Sequence, residues 1–107
     1  MVSQGDIVWV NFDPQAGHEQ TGRRPALVIS NDFFNRHSAM YMLCPITKTD
    51  KSFPFHIPLD DRTKTVGVIL CDQARVFDIK ARNFEFIEKS PQDILEKVKE
   101  LVIGFIE

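Results

Sequence analysis

The sequence predicts a small α+β protein, mainly an antiparallel β-barrel with one packed C-terminal helix. Short runs rich in β-branched and aromatic residues are separated by polar turns, which is typical of strands. These runs do not alternate regularly with helical segments, so a parallel sheet with crossover helices is not expected. Only the last part of the chain has a sustained helical periodicity.

Six segments have the composition of strands. Pro25 predicts that the second begins at an edge or a bulge, and Pro45 is expected to end the third. The fifth is either one long strand or a bent pair. In the sixth, Phe84 and Phe86 are expected to face inward and Glu85 outward. The segments are GDIVWVNF (5–12), RPALVIS (24–30), MYMLCPIT (40–47), FHIPL (55–59), VGVILCDQARVFD (66–78) and RNFEFIEK (82–89).

Two segments predict helix. Asn31 or Asp32 is expected to cap a single short turn in NDFFNRHS. In the C-terminal SPQDILEKVKELVIGFIE, Ser90 is the expected N-cap, Pro91 the first helical residue and Asp93 the acid of a capping box. Apolar residues at helical spacing then form one face of this helix. They are Ile94, Leu95, Val98, Leu101, Val102 and Phe105.

Length and composition bound the class of protein. A chain of 107 residues is expected to form one domain, residues 1–107. The formal net charge of −2 excludes a large basic field, so a nucleic acid would have to bind a local basic patch. Cys44 and Cys71 lie in apolar runs without metal-ligand or disulfide spacing, which predicts reduced, buried thiols. No signal peptide or membrane span is evident, so we expect a cytoplasmic protein without membrane contact.

Several of the predicted strands are apolar on both faces. A single domain of this size has one interior, so a second apolar face predicts a subunit interface. We therefore expect a homodimer.

Two adjacent arginines are the strongest candidate site residues. A guanidinium binds phosphate or carboxylate with a fixed fork geometry. Arg24 stands directly before Pro25 and is therefore held by rigid backbone, whereas Arg23 lies one residue back in the loop. From composition alone, a surface ion pair with Glu19 or Asp72 is an equal alternative for these arginines.

Other polar residues give weaker signals. Thr47 and Lys48 stand at a strand end, where a hydroxyl and an ammonium can bind a phosphate oxygen. Asp72 interrupts an apolar run and is expected to pair with an arginine, for which Arg75 is suitably placed.

The histidines have no partner nearby in the sequence. Histidine is the usual acid–base group near neutral pH. His18 is ambiguous because it shares a loop with Glu19 and precedes the arginines, whereas His37 and His56 are expected to be solvated or structural.

The absence of several common catalytic motifs limits the kinds of reaction that the sequence suggests. It has no Gly-rich nucleotide loop, no metal-ligand cluster and no Ser-His-Asp arrangement. The remaining arginines, threonine, glutamate and histidine suit chemistry on a phosphodiester without a metal or another cofactor. RNA allows this because its own 2′-OH attacks the adjacent phosphate, so that the protein has to stabilise charge and move protons.

One long pattern resembles a known family. GDIVWVNFDP, followed by GHEQTGRRP and an apolar strand that ends in Ser30, is similar to the MazF/PemK toxins of bacterial toxin–antitoxin modules. CPITK (44–48), FPF (53–55) and GVILCDQARVFD (67–78) extend the similarity over nearly the whole chain. It is weakest from Asn83 onward, where only the order of strand and helix is shared.

The resemblance implies a fold and an activity. MazF/PemK toxins are homodimeric endoribonucleases with a small SH3-like, CcdB-type barrel. They cut single-stranded mRNA at short sequence motifs without a metal and leave a 2′,3′-cyclic phosphate and a 5′-OH. A cognate MazE-like antitoxin inhibits them by laying a partly disordered tail across the dimer groove. The alternative is a CcdB-like toxin that inhibits DNA gyrase by binding, but the Arg-Pro motif together with PIT favours the nuclease.

The resemblance also implies roles for individual residues. The catalytic arginine falls on Arg24 and the catalytic threonine on Thr47. Glu19 matches the family's loop glutamate, which organises the active site, and Asp72 and His18 are further candidates for its support. Arg24, Glu19 and His18 stay open as the group that deprotonates the 2′-OH, although an arginine is a poor general base. The residues expected to bind RNA are Arg23, Lys48, Lys51 and Arg75.

Overall fold

The computed structural model describes residues 2–13, 22–49 and 54–107. This part of the chain contains seven strands, two α-helices and two short 3-10 helices. The strands are β1 (Asp6–Asn11), β2 (Arg23–Val28), β3 (Tyr41–Thr47), β4 (His56–Pro58), β5 (Val68–Leu70), β6 (Arg75–Phe77) and β7 (Glu85–Lys89). The helices are α1 (Asp32–Ser38) and α2 (Gln92–Gly104), and the 3-10 helices are Cys71–Gln73 and Ile79–Ala81.

The strands form one antiparallel sheet in the order β4-β5-β3-β2-β1-β7. Strand β3 also pairs with β6, so its first half contacts β6 and its end contacts β5. The predicted bent pair over residues 66–78 is confirmed, because a 3-10 helix separates β5 from β6. The sheet is roughly barrel-like without being a closed barrel, and α2 follows it, as the sequence predicts.

Both faces of the sheet are buried within this one chain. Ile7 and Leu27 pack into a core beneath α2, together with Leu95, whereas their neighbours Val8 and Val28 pack into a second core on the other side. The doubly apolar strands therefore do not require a subunit interface. The strand pattern was the wrong reason to expect a dimer, since two cores account for it.

Two prolines lie where the pairing of β2 and β3 ends. Strand β2 is central rather than at an edge, and its described pairing with β3 begins at Ala26, opposite Pro45. Pro25 lies one residue before Ala26, beyond the last pair of the described β2–β3 ladder. Strand β3 does not end at Pro45 as expected but continues to Thr47, where it pairs with β5. A proline that has no N–H to donate is tolerated at such a ladder end.

The edge strand β7 differs from the expectation for its aromatic residues. Phe84 and Phe86 are 38% and 52% exposed, and it is Ile87 that packs against the core. Among the described elements only β1 pairs with β7, and the register of that pairing shifts between Ile7 and Val8. An irregular register at a sheet edge leaves the alternation of side chains weakly specified.

The N-terminus of α2 also differs from the expectation. The N-cap is Pro91, not Ser90, and Pro91 has no side-chain capping bond. The Ser90 N–H donates to the carbonyl of Gly5 (2.8 Å), so its backbone still belongs to the sheet. The predicted apolar face is confirmed at Ile94, Leu95 and Val98, which are buried, but Phe105 is 44% exposed.

The remaining local predictions agree with the structure. Asn31 caps α1 by accepting from the N–H of Phe34 (2.8 Å), although the helix has seven residues rather than a single turn. Cys44 and Cys71 are free and buried, as expected. None of the helices in the described ranges is long and apolar enough to span a membrane.

Candidate active site

A cleft of about 530 Å³ lies at the ends of β2 and β3. Five parts of the chain line it: Trp9 of β1, the start of β2, residues 46–49, residues 64–66 and Ile87 of β7. Four of the lining residues are cationic, and no carboxylate of the described residues joins them. Since the chain has a net charge of −2, this cleft is a local basic patch in an acidic protein. The cationic residues are Arg23, Arg24, Lys48 and Lys64, and Thr47, Thr49 and Thr65 add hydroxyls.

Arg24 and Thr47 line the same cleft, where β2 begins and β3 ends. The described pairing of β2 with β3 stops at Ala26 and Pro45, two residues short of them, and Thr47 pairs with Val68 of β5 instead. The two residues that the family resemblance singled out thus lie in one cleft at the end of this ladder.

Arg23 is held at the cleft by two contacts. Its guanidinium donates to Glu85 (3.1 Å) and lies 5.2 Å from the centre of the Trp9 ring. Of the two alternative partners expected for the arginines, Glu19 lies outside the described residues, and for Arg23 the structure shows Glu85 on β7 rather than Asp72. Because 39% of the Arg23 side chain is exposed, the pair is a weak, solvent-screened one. The arginine can exchange it for a phosphate at low cost.

Thr47 is buried and closely packed. Its Oγ1 accepts from the N–H of Thr49 at 3.3 Å, and the residue is 8% exposed. The backbone of Gly67 packs directly against it. A Cβ on Gly67 would lie 2.3 Å from the Thr47 carbonyl oxygen, and Gly67 has a φ of +135°. Only glycine fits this position, so residue 67 fixes the place of Thr47.

Two predicted site residues lie outside the cleft. Asp72 is in a 3-10 helix rather than inside a strand, its side chain is 41% exposed, and its carboxylate lies 3.7 Å from His56 Nε2. The chain turns at this point, which lets the carboxylate reach water. Arg75 lies with its guanidinium 4.7 Å from the centre of the Phe77 ring. The structure brings neither residue into the cleft of this chain.

Three further predictions, His18, Glu19 and Lys51, fall outside the described residues. His37 lies on α1, where its Nδ1 is 2.8 Å from the Phe33 carbonyl and its ring stacks on Phe33. These contacts fit the structural role expected of it.

The two thiols are unsuited to nucleophilic chemistry. Burial raises the pKa of Cys44 well above its ordinary value, with smaller contributions from the nearby Cys71 and Asp72. Burial also raises the pKa of Cys71, to about 12, and the charge of Asp72 adds to this. A thiol that keeps its proton at neutral pH is a poor nucleophile. The polar groups that the described residues bring to the cleft are cations and hydroxyls.

Sequence reasoning missed several residues of the cleft. Trp9 was counted only as a strand residue, and Lys64 and Thr65 only as part of a polar turn. Gly67, next to an apolar run, carried a signal, because a glycine at a strand start often marks a close backbone approach. Nothing in the sequence indicates that residues 64–66 reach the end of β3.

Comparisons with known proteins agree on one family. Residues 3–106 match the model of a family described as PemK-like, MazF-like toxin of type II toxin–antitoxin system. The chain is 37% identical to Endoribonuclease PemK of Escherichia coli over 101 residues, which cover 91% of this chain and 76% of that protein. It is 40% identical to Endoribonuclease toxin MazF of E. coli K12 over 78 residues, covering 73% and 69%.

Solved structures show the same similarity. The crystal structure of MazF from Deinococcus radiodurans superposes with a TM-score of 0.92 at 38% identity and covers 98% of this chain and 96% of that one. A crystal structure of MazE–MazF from the same organism superposes with a TM-score of 0.85 at 38% identity, covering 98% and 95%. The fold built above from the sheet register is therefore that of these toxins.

Proposed function

This chain belongs to the PemK-like, MazF-like toxin family of type II toxin–antitoxin systems, and we propose that it is an endoribonuclease that cuts single-stranded mRNA. The observation that carries the proposal is the cleft that Arg24 and Thr47 line together with three further cations. A strand of RNA is a flexible polyanion, and a small basic cleft in an acidic protein is suited to bind one short stretch of it.

The proposed reaction uses the nucleophile of the RNA itself. The 2′-OH attacks the adjacent phosphorus, the bond from phosphorus to the 5′-oxygen breaks, and the products are a 2′,3′-cyclic phosphate and a 5′-OH. Negative charge grows on the non-bridging oxygens. The Arg24 guanidinium stabilises it with two parallel hydrogen bonds, and the Thr47 hydroxyl donates a third. Arg23 and Lys48 bind the neighbouring phosphates.

Two protons have to move in this reaction. One leaves the 2′-OH, and one reaches the departing 5′-oxygen. Arg24 carries protons that it can donate, but a guanidinium stays protonated in proteins and is therefore a poor acceptor. We propose that Glu19 or His18, in the loop between β1 and β2, accepts the proton of the 2′-OH. Asp72 and Arg75 would act only from outside the cleft of their own chain.

Cleavage in the presence of EDTA tests the proposal. Purified protein is expected to cut a long single-stranded RNA at a limited set of sequences, equally with and without the chelator, because cations of the protein supply the electrostatic stabilisation. Gel analysis of the fragments maps the sites. RNA that stays intact in all sequence contexts would contradict the proposed activity and favour the CcdB-like alternative of inhibition by binding. Cutting that is lost only with EDTA would contradict the metal-independent mechanism.

We further propose that a MazE-like antitoxin inhibits the protein in the cytoplasm, where mRNA is found. The similarity to the MazE–MazF complex of D. radiodurans supports this partner. An acidic, extended peptide segment can occupy the basic cleft in place of RNA phosphates.

A homodimer is the proposed active form. Large apolar side chains remain exposed on the described surface, among them Phe33 at 70%, Phe86 at 52% and Ile106 at 82%. Phe34, Ile103 and Ile106 line one surface groove, and a contiguous exposed apolar patch is typical of a surface that is covered in an assembly. Size-exclusion chromatography with light scattering is expected to give twice the mass of the chain at micromolar concentration. The mass of a single chain, 12.3 kDa, would contradict the dimer.

A further inference from the structure

Residues 64–66 form a wall of the cleft that the family resemblance did not assign. Lys64, Thr65 and Val66 line the cleft although they belong to a turn and not to a strand. Lys64 is exposed, and no carboxylate of the described residues lies within ion-pair distance of its ammonium, although its charge acts on the nearby Glu88. Its exposure leaves the ammonium accessible to an incoming anion.

Glu88 on β7 holds this segment in place. Its carboxylate accepts from the N–H and the hydroxyl of Thr65, each at 2.8 Å, and from the N–H of Lys64 at 3.1 Å. Burial raises the pKa of Glu88, but these hydrogen bonds outweigh it and hold the pKa below its ordinary value. The carboxylate is thus ionised at neutral pH and bonded to the backbone of the turn.

Further bonds close the turn on itself. The Thr63 hydroxyl donates to the Thr65 carbonyl at 2.7 Å, and the Leu59 N–H donates to the Gly67 carbonyl at 2.9 Å. Gly67 then packs on Thr47, as described above. The backbone of Lys64 is therefore ordered before any ligand binds, which reduces the entropy lost on binding.

We propose that Lys64 binds an RNA phosphate flanking the scissile one and that Glu88 is the positioning residue of this subsite. The inference rests on the proposed cleavage of RNA in the same cleft. Arg23, Arg24 and Lys48 come from the ends of β2 and β3, whereas Lys64 comes from a separate segment. A single strand of RNA that crosses the cleft thus meets cations from the strand ends and from the turn at residues 64–66. Its path is therefore set by more residues than Arg24 and Thr47.

The salt dependence of RNA binding tests the Lys64 subsite. Binding is titrated with single-stranded RNA in an Arg24→Ala background, in which cleavage is expected to be at least about 10²-fold slower. Lys64→Gln is expected to lower the slope of log K against log salt by about 0.7, the effect of one single-strand phosphate contact. With Arg24 present, the same change is expected to raise KM about three- to tenfold and to leave kcat within about twofold, because uniform binding is lost. Lys97→Gln, an exposed lysine on α2 outside the cleft, is the matched control and should change neither quantity.

A slope for Lys64→Gln equal to that of the parent protein would overturn the subsite. This failure is distinct from a failure of the proposed function, which would appear as intact RNA with the unmodified protein.

A double-variant cycle tests the role of Glu88. If Glu88 acts through Lys64, Glu88→Ala weakens RNA binding, and adding Lys64→Gln weakens it no further than Lys64→Gln alone. Additive losses would show that Glu88 does not position Lys64. Thr65→Val removes one hydrogen-bond donor to Glu88 and keeps the side-chain shape. If Glu88→Ala does not fold, Thr65→Val takes its place in the cycle. Alone it should weaken RNA binding, and combined with Lys64→Gln it should weaken binding no further than Lys64→Gln alone.

Discussion

Arg24→Ala is expected to reduce kcat for RNA cleavage by at least about 10²-fold, the loss typical of removing one preorganised donor to a developing oxyanion. The residue lies at the start of β2, where it lines the cleft together with Thr47, and we assign it the stabilisation of the negative charge that develops in the transition state. Because that charge is greatest in the transition state, kcat should fall more than KM rises. Single-turnover cleavage of a defined RNA measures the loss.

Controls separate this effect from misfolding. Arg24→Lys is expected to remain well below the unmodified protein, because an ammonium cannot form the two parallel bonds of a guanidinium. Arg36→Ala, an exposed arginine on α1 outside the cleft, should retain full activity. Circular dichroism and light scattering should show the same fold and mass for all variants. Cleavage by Arg24→Ala within about tenfold of the parent would place the chemistry elsewhere, since it is far short of the typical loss.

Gly67→Ala is expected to damage both stability and catalysis. The new Cβ would lie 2.3 Å from the Thr47 carbonyl oxygen and 2.8 Å from its carbon, and φ is +135°. A residue held in such a backbone region costs about 1–3 kcal/mol of unfolding free energy, and relief of the clash has to move the end of β3. Since displacement of a catalytic group by about 1 Å can cost 10²-fold in rate, kcat should fall steeply.

Gly22→Ala is the matched control for this substitution. Gly22 also has a positive φ, +77°, but a Cβ there would meet no atom of the described residues within 4 Å. It should therefore share the conformational cost without moving Thr47. Thermal unfolding and kcat are measured for both variants. Equal losses of kcat in the two would show that the contact with Thr47 does not matter for catalysis.

Much of the fold follows from local patterns. The strand of β1, the cap at Asn31 and the buried face of α2 at Leu95 and Val98 were predictable, because each depends on side chains close in sequence. The exposure of Phe86 and the failure of Ser90 as a cap were not. They depend on the irregular pairing of β7 with β1 and on the bond from Ser90 to Gly5, which are long-range features.

The residues of the candidate site were likewise predictable from the sequence only in part. Arg24 and Thr47 were predictable through a long sequence pattern, and the structure places both in the lining of one cleft. The wall at Lys64 was not found, because the bond network of Glu88 joins residues more than twenty positions apart and leaves no local signal. Of the two alternatives for residues 66–78, one long strand would have kept Asp72 inside the sheet, whereas the bent pair places it in a 3-10 helix where the chain turns.

Cleavage of an RNA with one 2′-deoxynucleotide tests the central claim most directly. The claim is that the Arg24 guanidinium and the neighbouring cations stabilise an attack by the 2′-OH of the RNA. The protein itself supplies no nucleophile. After the cleavage site has been mapped, the nucleotide on the 5′ side of the cut bond is replaced by its 2′-deoxy form. We expect this RNA to bind and to remain intact, whereas the matched all-ribose RNA is cut to a 2′,3′-cyclic phosphate and a 5′-OH. Cutting at the substituted bond would contradict the mechanism, because the attacking oxygen would then come from water or from the protein.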